Sequence, residues 1–286
     1  MPVAHIRDLD VYYEVHGDGA PLLLIHGLGS STEDWSPQVE FFANVFKVVT
    51  YDVRGHGKTG KPRARYSLRQ FAEDAAALLE YLHLGPTHVL GISMGGMIAL
   101  QLVVDRPDVV RSLTIVNSGP ELVLRTLRQK IAIYQRFAIV RLMGMRKMGE
   151  VLSKALLPSP QHAAERQTFV EHWARNNPGA YLRSLRALIG WSVTARLGDI
   201  SCPTLIVAAD QDYTPVSFKE KYAARIAGAQ LEVIPDSRHL LPVERPNEFN
   251  AAVMHFLSEL PQAVRAPATP PLFTPGTAPS GARGGT

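Results

Sequence analysis

The chain has 286 residues, of which 46% are hydrophobic and 20% charged, with 30 basic against 26 acidic side chains and a net charge of +4. That composition supplies a sizeable core and excludes disorder over the whole length. A lone cysteine, Cys202, excludes a disulfide scaffold and a cysteine-based zinc site, and fits a reducing compartment.

Two short alternating runs, Val3–Arg7 and Val11–Val15, flank Asp8–Asp10 and predict a β-hairpin. Pro21–Ile25 is a continuous apolar run ending in His26-Gly27, the pattern of a strand buried on both faces. A helix near Pro37–Ala43 precedes a strand at Lys47–Tyr51. A helix at Leu68–Leu82 follows, with Ser67 placed to cap it. Strand His88–Ile92 leads into helix Met94–Val104, and then comes strand Leu113–Val116. From Glu121 to about Arg196 no strand pattern occurs. This block reads as several helices, broken near Pro158-Ser159-Pro160 and Asn177-Pro178-Gly179. Alternation resumes with strand Thr204–Ala208, helix Val216–Ile226, strand Leu231–Ile234 and helix Pro246–Leu260.

Alternating elements predict an α/β fold, a mostly parallel sheet with helices on both faces. The expected organisation is a core of residues 1–118 and 197–260, an inserted helical lid over 119–196, and a tail over 261–286. The tail is rich in Pro, Gly and Ala. It carries too little apolar area to offset its ordering entropy, which predicts disorder; a proline-rich docking segment is the functional alternative. The N-terminus lacks the apolar region of a secretory signal, and no run of 18 apolar residues predicts a membrane span, so the expected location is cytoplasmic. The mild basic excess calls for no nucleic-acid partner. The helical block is locally basic from Arg125 to Lys147. Such a face is either simply solvated or attracts an acidic partner, for which an acyl carrier protein is one example.

Gly91-Ile92-Ser93-Met94-Gly95 fits G-x-S-x-G at the handover from strand to helix. The turn there forces Ser93 into a strained geometry that projects its Oγ above the strand end, and the flanking glycines remove clashing side chains. A serine needs a base, and the base is a histidine oriented by a carboxylate. Downstream of Ser93, the run Asp210-Gln211-Asp212 follows strand Thr204–Ala208, and Asp236-Ser237-Arg238-His239 follows strand Leu231–Ile234. Both lie past C-terminal strand ends, on the sheet edge where ligand sites form. Asp210 directly follows its strand and suits a turn cap; Asp212 sits further out.

With these residues the chain resembles the α/β-hydrolase superfamily, near its carboxylesterases, enol-lactonases and cofactor-free haloperoxidases. The resemblance rests on His26–Gly29, Asp52–Gly57, Gly91–Gly96, Asp212–Pro215, and His239 with Glu244-Arg245-Pro246. It spans about residues 10 to 260, with the lid matched only in character. It implies Ser93 as nucleophile, His239 as general base and acid, and Asp212 as orienting acid. It also implies an oxyanion hole from the Leu28 and Met94 amides, which leaves the Leu28 and Met94 side chains to contact substrate. Trp35 either lines the pocket or packs under it. His26 reads as a loop brace, Asp52 and Arg54 as loop fixings, and His56 as structural. Two departures stand out: Arg238 and Ala209 occupy positions where many members carry glycine, and Arg238 adds a positive charge near the base. No metal-ligand spacing occurs among the remaining histidines, and no metal or cofactor is expected. Met143, Met145 and Met148 suit either core packing or an adaptable lid wall.

The function implied is hydrolysis of a small-molecule carboxylic ester or lactone through an acyl-enzyme. Two alternatives keep the same triad, a C–C bond hydrolase and a perhydrolase. One belongs to another class: a small-molecule receptor signalling through its lid. Fold alone does not choose among them.

Overall fold

The computed structural model describes residues 2–260; the tail expected to be disordered lies outside them. The first two runs form the hairpin: β1 (Val3–Ile6) and β2 (Leu9–His16) pair antiparallel, with Ile6 opposite Leu9. Six parallel strands follow: β3 (Ala20–Ile25), β4 (Phe46–Tyr51), β5 (Thr87–Ile92), β6 (Val110–Val116), β7 (Thr204–Ala209) and β8 (Gln230–Ile234). Their order across the sheet is β1-β2-β4-β3-β5-β6-β7-β8. β6 starts three residues before its apolar run, because Val110 pairs with Thr87 and Ser112 with His88.

The apolar run of β3 explains the layering. Side chains alternate across a strand, so Leu23 and Ile25 face one side and Leu22 and Leu24 the other. The first pair packs with α2 (Leu68–Tyr81) and α3 (Met94–Asp105). The second packs with α1 (Ser36–Phe42) and with the C-terminal helix Pro246–Glu259. All four are at most 1% exposed, and each such burial contributes about 2 kcal/mol.

Between β6 and β7 the chain leaves the sheet for three helices: α4 (Leu127–Leu156), α5 (Ala163–Ala174) and α6 (Pro178–Leu188). A Thr126–Gln129 capping box opens α4, and the Asn177 side chain caps α6. The breaks fall at the two proline-marked positions. A further break sits inside α4 at Gly144, whose φ is 81°. The insertion has its own small core, in which Met145 and Met148 pack with Trp173, Tyr181 and Leu185, while Met143 is exposed. Part of the basic run is paired locally, Arg125 with Glu121, Arg146 with Glu171 and Lys147 with Glu150. After β7 come α7 (Val216–Ala223), α8 (Leu241–Glu244) and the C-terminal helix, α9. Among the described residues no helix is long and apolar enough to cross a membrane.

One ion pair ties the hairpin edge to this core. Arg54, in the loop after β4, makes a bidentate pair with Asp74 of α2 (2.7 and 2.8 Å) and reaches Asp8 of the hairpin turn. Arg54 and Asp74 are buried, but the Asp8 side chain is 61% exposed. Removing the buried partner leaves the buried guanidinium with only the exposed Asp8; removing the exposed one leaves the buried pair intact. Asp74→Ala is therefore expected to cost about 3–5 kcal/mol in urea unfolding, and Asp8→Ala about 1 kcal/mol or less. Equal costs would contradict this.

Candidate active site

Ser93 sits between β5 and α3 with φ 55° and ψ −117°, outside the regions a serine normally adopts. Its surroundings hold it there. Its N–H donates to the Val116 carbonyl (3.0 Å), and its own carbonyl accepts from Met97 N–H and the Ser118 hydroxyl. The turn is as crowded as the motif requires: a Cβ on Gly91 would overlap the Gly95 carbonyl, and one on Gly95 would overlap the Ile25 carbonyl. The start of α3 thus packs directly on the end of β3. This brings the first amide of α3, Met94, and the loop amide of Leu28 to the same sheet edge. Among the described residues neither amide donates to a protein acceptor.

The loops after β7 and β8 supply the acid and the base. Asp212 Oδ1 lies 2.8 Å from His239 Nδ1. The same carboxylate accepts from Tyr213 N–H (2.8 Å), from the Thr214 hydroxyl and from the Lys219 ammonium (2.8 Å). Lys219 is fully buried and also bonds the Thr214 carbonyl and hydroxyl. Burial works to raise the Asp212 pKa, but His239, Lys219 and Thr214 outweigh it and bring it down to about 2. An ionised Asp212 makes Nδ1 the protonated nitrogen of a neutral His239 and leaves Nε2 with its lone pair. Asp210 is not a partner of the histidine; it accepts from Ser237 N–H (3.1 Å).

Two features were not readable from the sequence. Asn117, at φ 42°, staples the end of β7, where the acid loop begins, to the base loop. Its Nδ2 donates to the Arg238 and His239 carbonyls (3.0 and 3.1 Å), and its Oδ1 accepts from Ala209 N–H (2.9 Å). Tyr213 places its hydroxyl 2.8 Å from His239 Nε2, with the two rings 4.2 Å apart. Ser93 makes no hydrogen bond with His239 and neighbours the same phenol instead.

Ser93, His239 and Tyr213 line one cavity of about 370 Å³. Leu28 lines it too. Met94 and Trp35 do not. The Met94 side chain is buried beneath the turn in the α2–α3 core, so only its amide is available. Trp35 is 2% exposed and packs among Leu22, Phe42 and Phe249 on the other face of the sheet. The indole at the cavity is Trp173 of the insertion, which lies 2.6 Å from where a Cβ on Gly29 would stand. Asn176 donates to the Gly29 carbonyl (2.7 Å), and His172 bridges Asp34 (3.0 Å) and Glu33 (3.3 Å), so α5 and the residues following it grip the Leu28 loop.

The neighbouring loop is braced as expected. Val53 N–H donates to His26 Nε2 (2.9 Å), so Nδ1 carries the proton and donates to the Gly27 carbonyl (2.8 Å). Burial lowers the His26 pKa to about 4 and keeps the ring neutral. Asp52 accepts from the Thr32 and Lys58 amides. His56 is buried against His26. Arg238 lines a separate surface cavity with Gln211 and Glu244, not the one holding His239. Among the described residues no group of three or more His, Cys, Asp or Glu is arranged to hold a metal ion.

The sequence profile of the alpha/beta hydrolase family matches residues 22–252. The chain is 32% identical over 269 residues to the putative carbamate hydrolase RutD of Azorhizobium caulinodans, covering 92% of this chain and 100% of that one. It is 30% identical over 264 residues to the (E)-2-((N-methylformamido)methylene)succinate hydrolase of Acinetobacter baylyi, covering 87% and 95%. The enol-lactonase of Burkholderia xenovorans LB400 superposes with a TM-score of 0.84 at 22% identity, over 90% of this chain and 100% of that one, a likeness of fold.

The depressed Asp212 pKa carries a stability signature. A carboxylate held at about 2 rather than 3.8 contributes stability that is present above pH 4 and lost as pH falls toward 2. Asp212→Asn lacks that dependence. The unfolding free-energy gap between wild type and Asp212→Asn, measured by urea titration, is expected to narrow by about 2 kcal/mol over that window. A gap that stays constant with pH would contradict the assignment of the charge.

Proposed function

Because this chain belongs to the alpha/beta hydrolase family, we propose that it is a serine hydrolase cleaving a carboxylic ester or lactone through an acyl-enzyme. The observation that carries this reading is the Asp212–His239 pair, whose Nε2 faces the same cavity as Ser93.

Ser93 Oγ attacks the carbonyl carbon as its proton passes to His239 Nε2. The carbonyl oxygen becomes an oxyanion, held by the Leu28 and Met94 amides. The tetrahedral intermediate collapses, and the imidazolium gives its proton to the leaving alkoxide. Water then attacks the acyl-Ser93 carbonyl and gives a proton to His239, and the second collapse returns that proton to Ser93 as the acid departs. Asp212 holds the tautomer and stabilises the imidazolium in both halves. Lysine, threonine and backbone partners hold Asp212 in turn, so the carboxylate has little freedom to leave its histidine.

The cavity suits a small molecule, and Leu152, Leu156, Phe169 and Trp173 supply an apolar wall for an acyl chain or ring. All four come from the helical insertion, which we read as the lid of residues 119–196. A carbamate is the second reading, favoured by the relative named putative carbamate hydrolase. The same attack applies to it, on a carbonyl made less electrophilic by its nitrogen.

The test is hydrolysis of p-nitrophenyl esters from acetate to decanoate beside Ser93→Ala. Multiple turnover is expected from the wild type, falling about 1000-fold or more in the variant. A folded wild type that turns over no ester would overturn the ester reading, and p-nitrophenyl N-methylcarbamate would then decide the second one.

A further inference from the structure

In the mechanism above, His239 Nε2 must meet three oxygens in turn: Ser93 Oγ, the leaving-group oxygen and the attacking water. A neutral imidazole has one lone pair for this, and its other nitrogen is bound to Asp212. In this structure the Tyr213 hydroxyl already occupies that lone pair at 2.8 Å. The phenol is the donor, because Nε2 of this tautomer can only accept and a phenol is protonated at neutral pH. A nucleophile whose base is occupied by another donor is not activated.

How Tyr213 is held shows that the contact is breakable. Its backbone is fixed, since its N–H donates to Asp212 Oδ1. Its side chain is not packed into the core: 65% of the residue is exposed, inside the cavity that a substrate must enter. The ring rests on His239, tilted 35° to it. A hydrogen bond to His239 and a contact between the two rings hold it there, beside Ser93.

We propose that Tyr213 is a further residue of the catalytic site: its hydroxyl caps His239 Nε2 in the free enzyme, and entry of the substrate displaces it so that Ser93 and His239 pair. The proposal rests on the serine hydrolase reading. Its consequence is quantitative. The competent state of the free enzyme is the uncapped fraction, so apparent affinity is reduced by that fraction, while turnover of bound substrate is not. Breaking one net hydrogen bond corresponds to a factor of about 3 to 10.

Tyr213→Phe keeps the ring and removes the cap, so it separates this role from a structural one. With a p-nitrophenyl ester that the wild type hydrolyses, KM is expected to fall about 3- to 10-fold, with kcat within about 2-fold. Phosphorylation of the free enzyme by diethyl p-nitrophenyl phosphate, followed by intact mass, is expected to quicken by the same factor. A drop in kcat of about 10-fold or more would overturn the cap and make the phenol a proton relay between Ser93 and His239. Labelling of both proteins at one rate would overturn the cap alone. Inertness of both toward ester and phosphate would overturn the hydrolase reading and the cap with it.

Discussion

The site depends on a place where the backbone has no room. The first turn of α3 lies against the carbonyl end of β3, and the contact tolerates only glycine at 91 and 95. That close approach has three results. It forces Ser93 to φ 55° and lifts it off the strand. It delivers the Met94 amide with no helical acceptor, since the first turn of a helix leaves its N–H groups unpaired. It sets that amide beside the loop carrying Leu28, which leaves the end of the strand being packed against. A strained serine costs of order 1–3 kcal/mol. The sheet around it absorbs that cost, with β3 and β5 buried on both faces.

The other half of the site comes from two loops that have no regular structure of their own. Side-chain staples hold them. Asn117 bonds the end of β7 and the base loop at once, and Asp210 adds a second link between the loops through Ser237 N–H. Lys219 holds the outer oxygen of Asp212 from below. The carboxylate therefore has a partner on each side, one buried cation and one imidazole, and its charge is shared between them. Preorganised charge of this kind does not need to reorient as a proton moves. Tyr213 stands apart from these held groups: 65% of it is exposed, at the cavity that Ser93 and His239 also line.

Much of this was legible in the sequence, for physical reasons. Strands buried on both faces read as continuous apolar runs, which is why β3, β4, β5 and β7 fell within a residue or so of their observed ends. Ser93 and His239 drew attention because each follows a strand end, and the family resemblance pointed to Asp212 rather than Asp210; the structure pairs Asp212 with His239 and sets Ser93 and His239 at one cavity. The misses share a different cause. Trp35 was open between lining the pocket and packing under it; it packs on the other sheet face, and the indole that reaches the Leu28 loop is Trp173, brought there by the insertion. Met94 offers an amide, and an amide carries no signal about where its side chain points. Asn117 follows β6 with no motif around it, and its value is in having both donors and an acceptor. The break in α4 at Gly144 has no proline to mark it, unlike the other two breaks in the insertion. The contact of Tyr213 with a base on the next loop is tertiary and has no local pattern at all.

The identity of the group that attacks the substrate underlies everything else here. It is tested most directly by acid-quenching the full chain during the first turnovers of p-nitrophenyl butyrate, then digesting it and mapping peptide masses. The expected result is a single butyryl adduct on the peptide containing Ser93, absent from Ser93→Ala. Turnover with no acylated peptide, or acylation confined to another residue, would contradict an acyl-enzyme at Ser93.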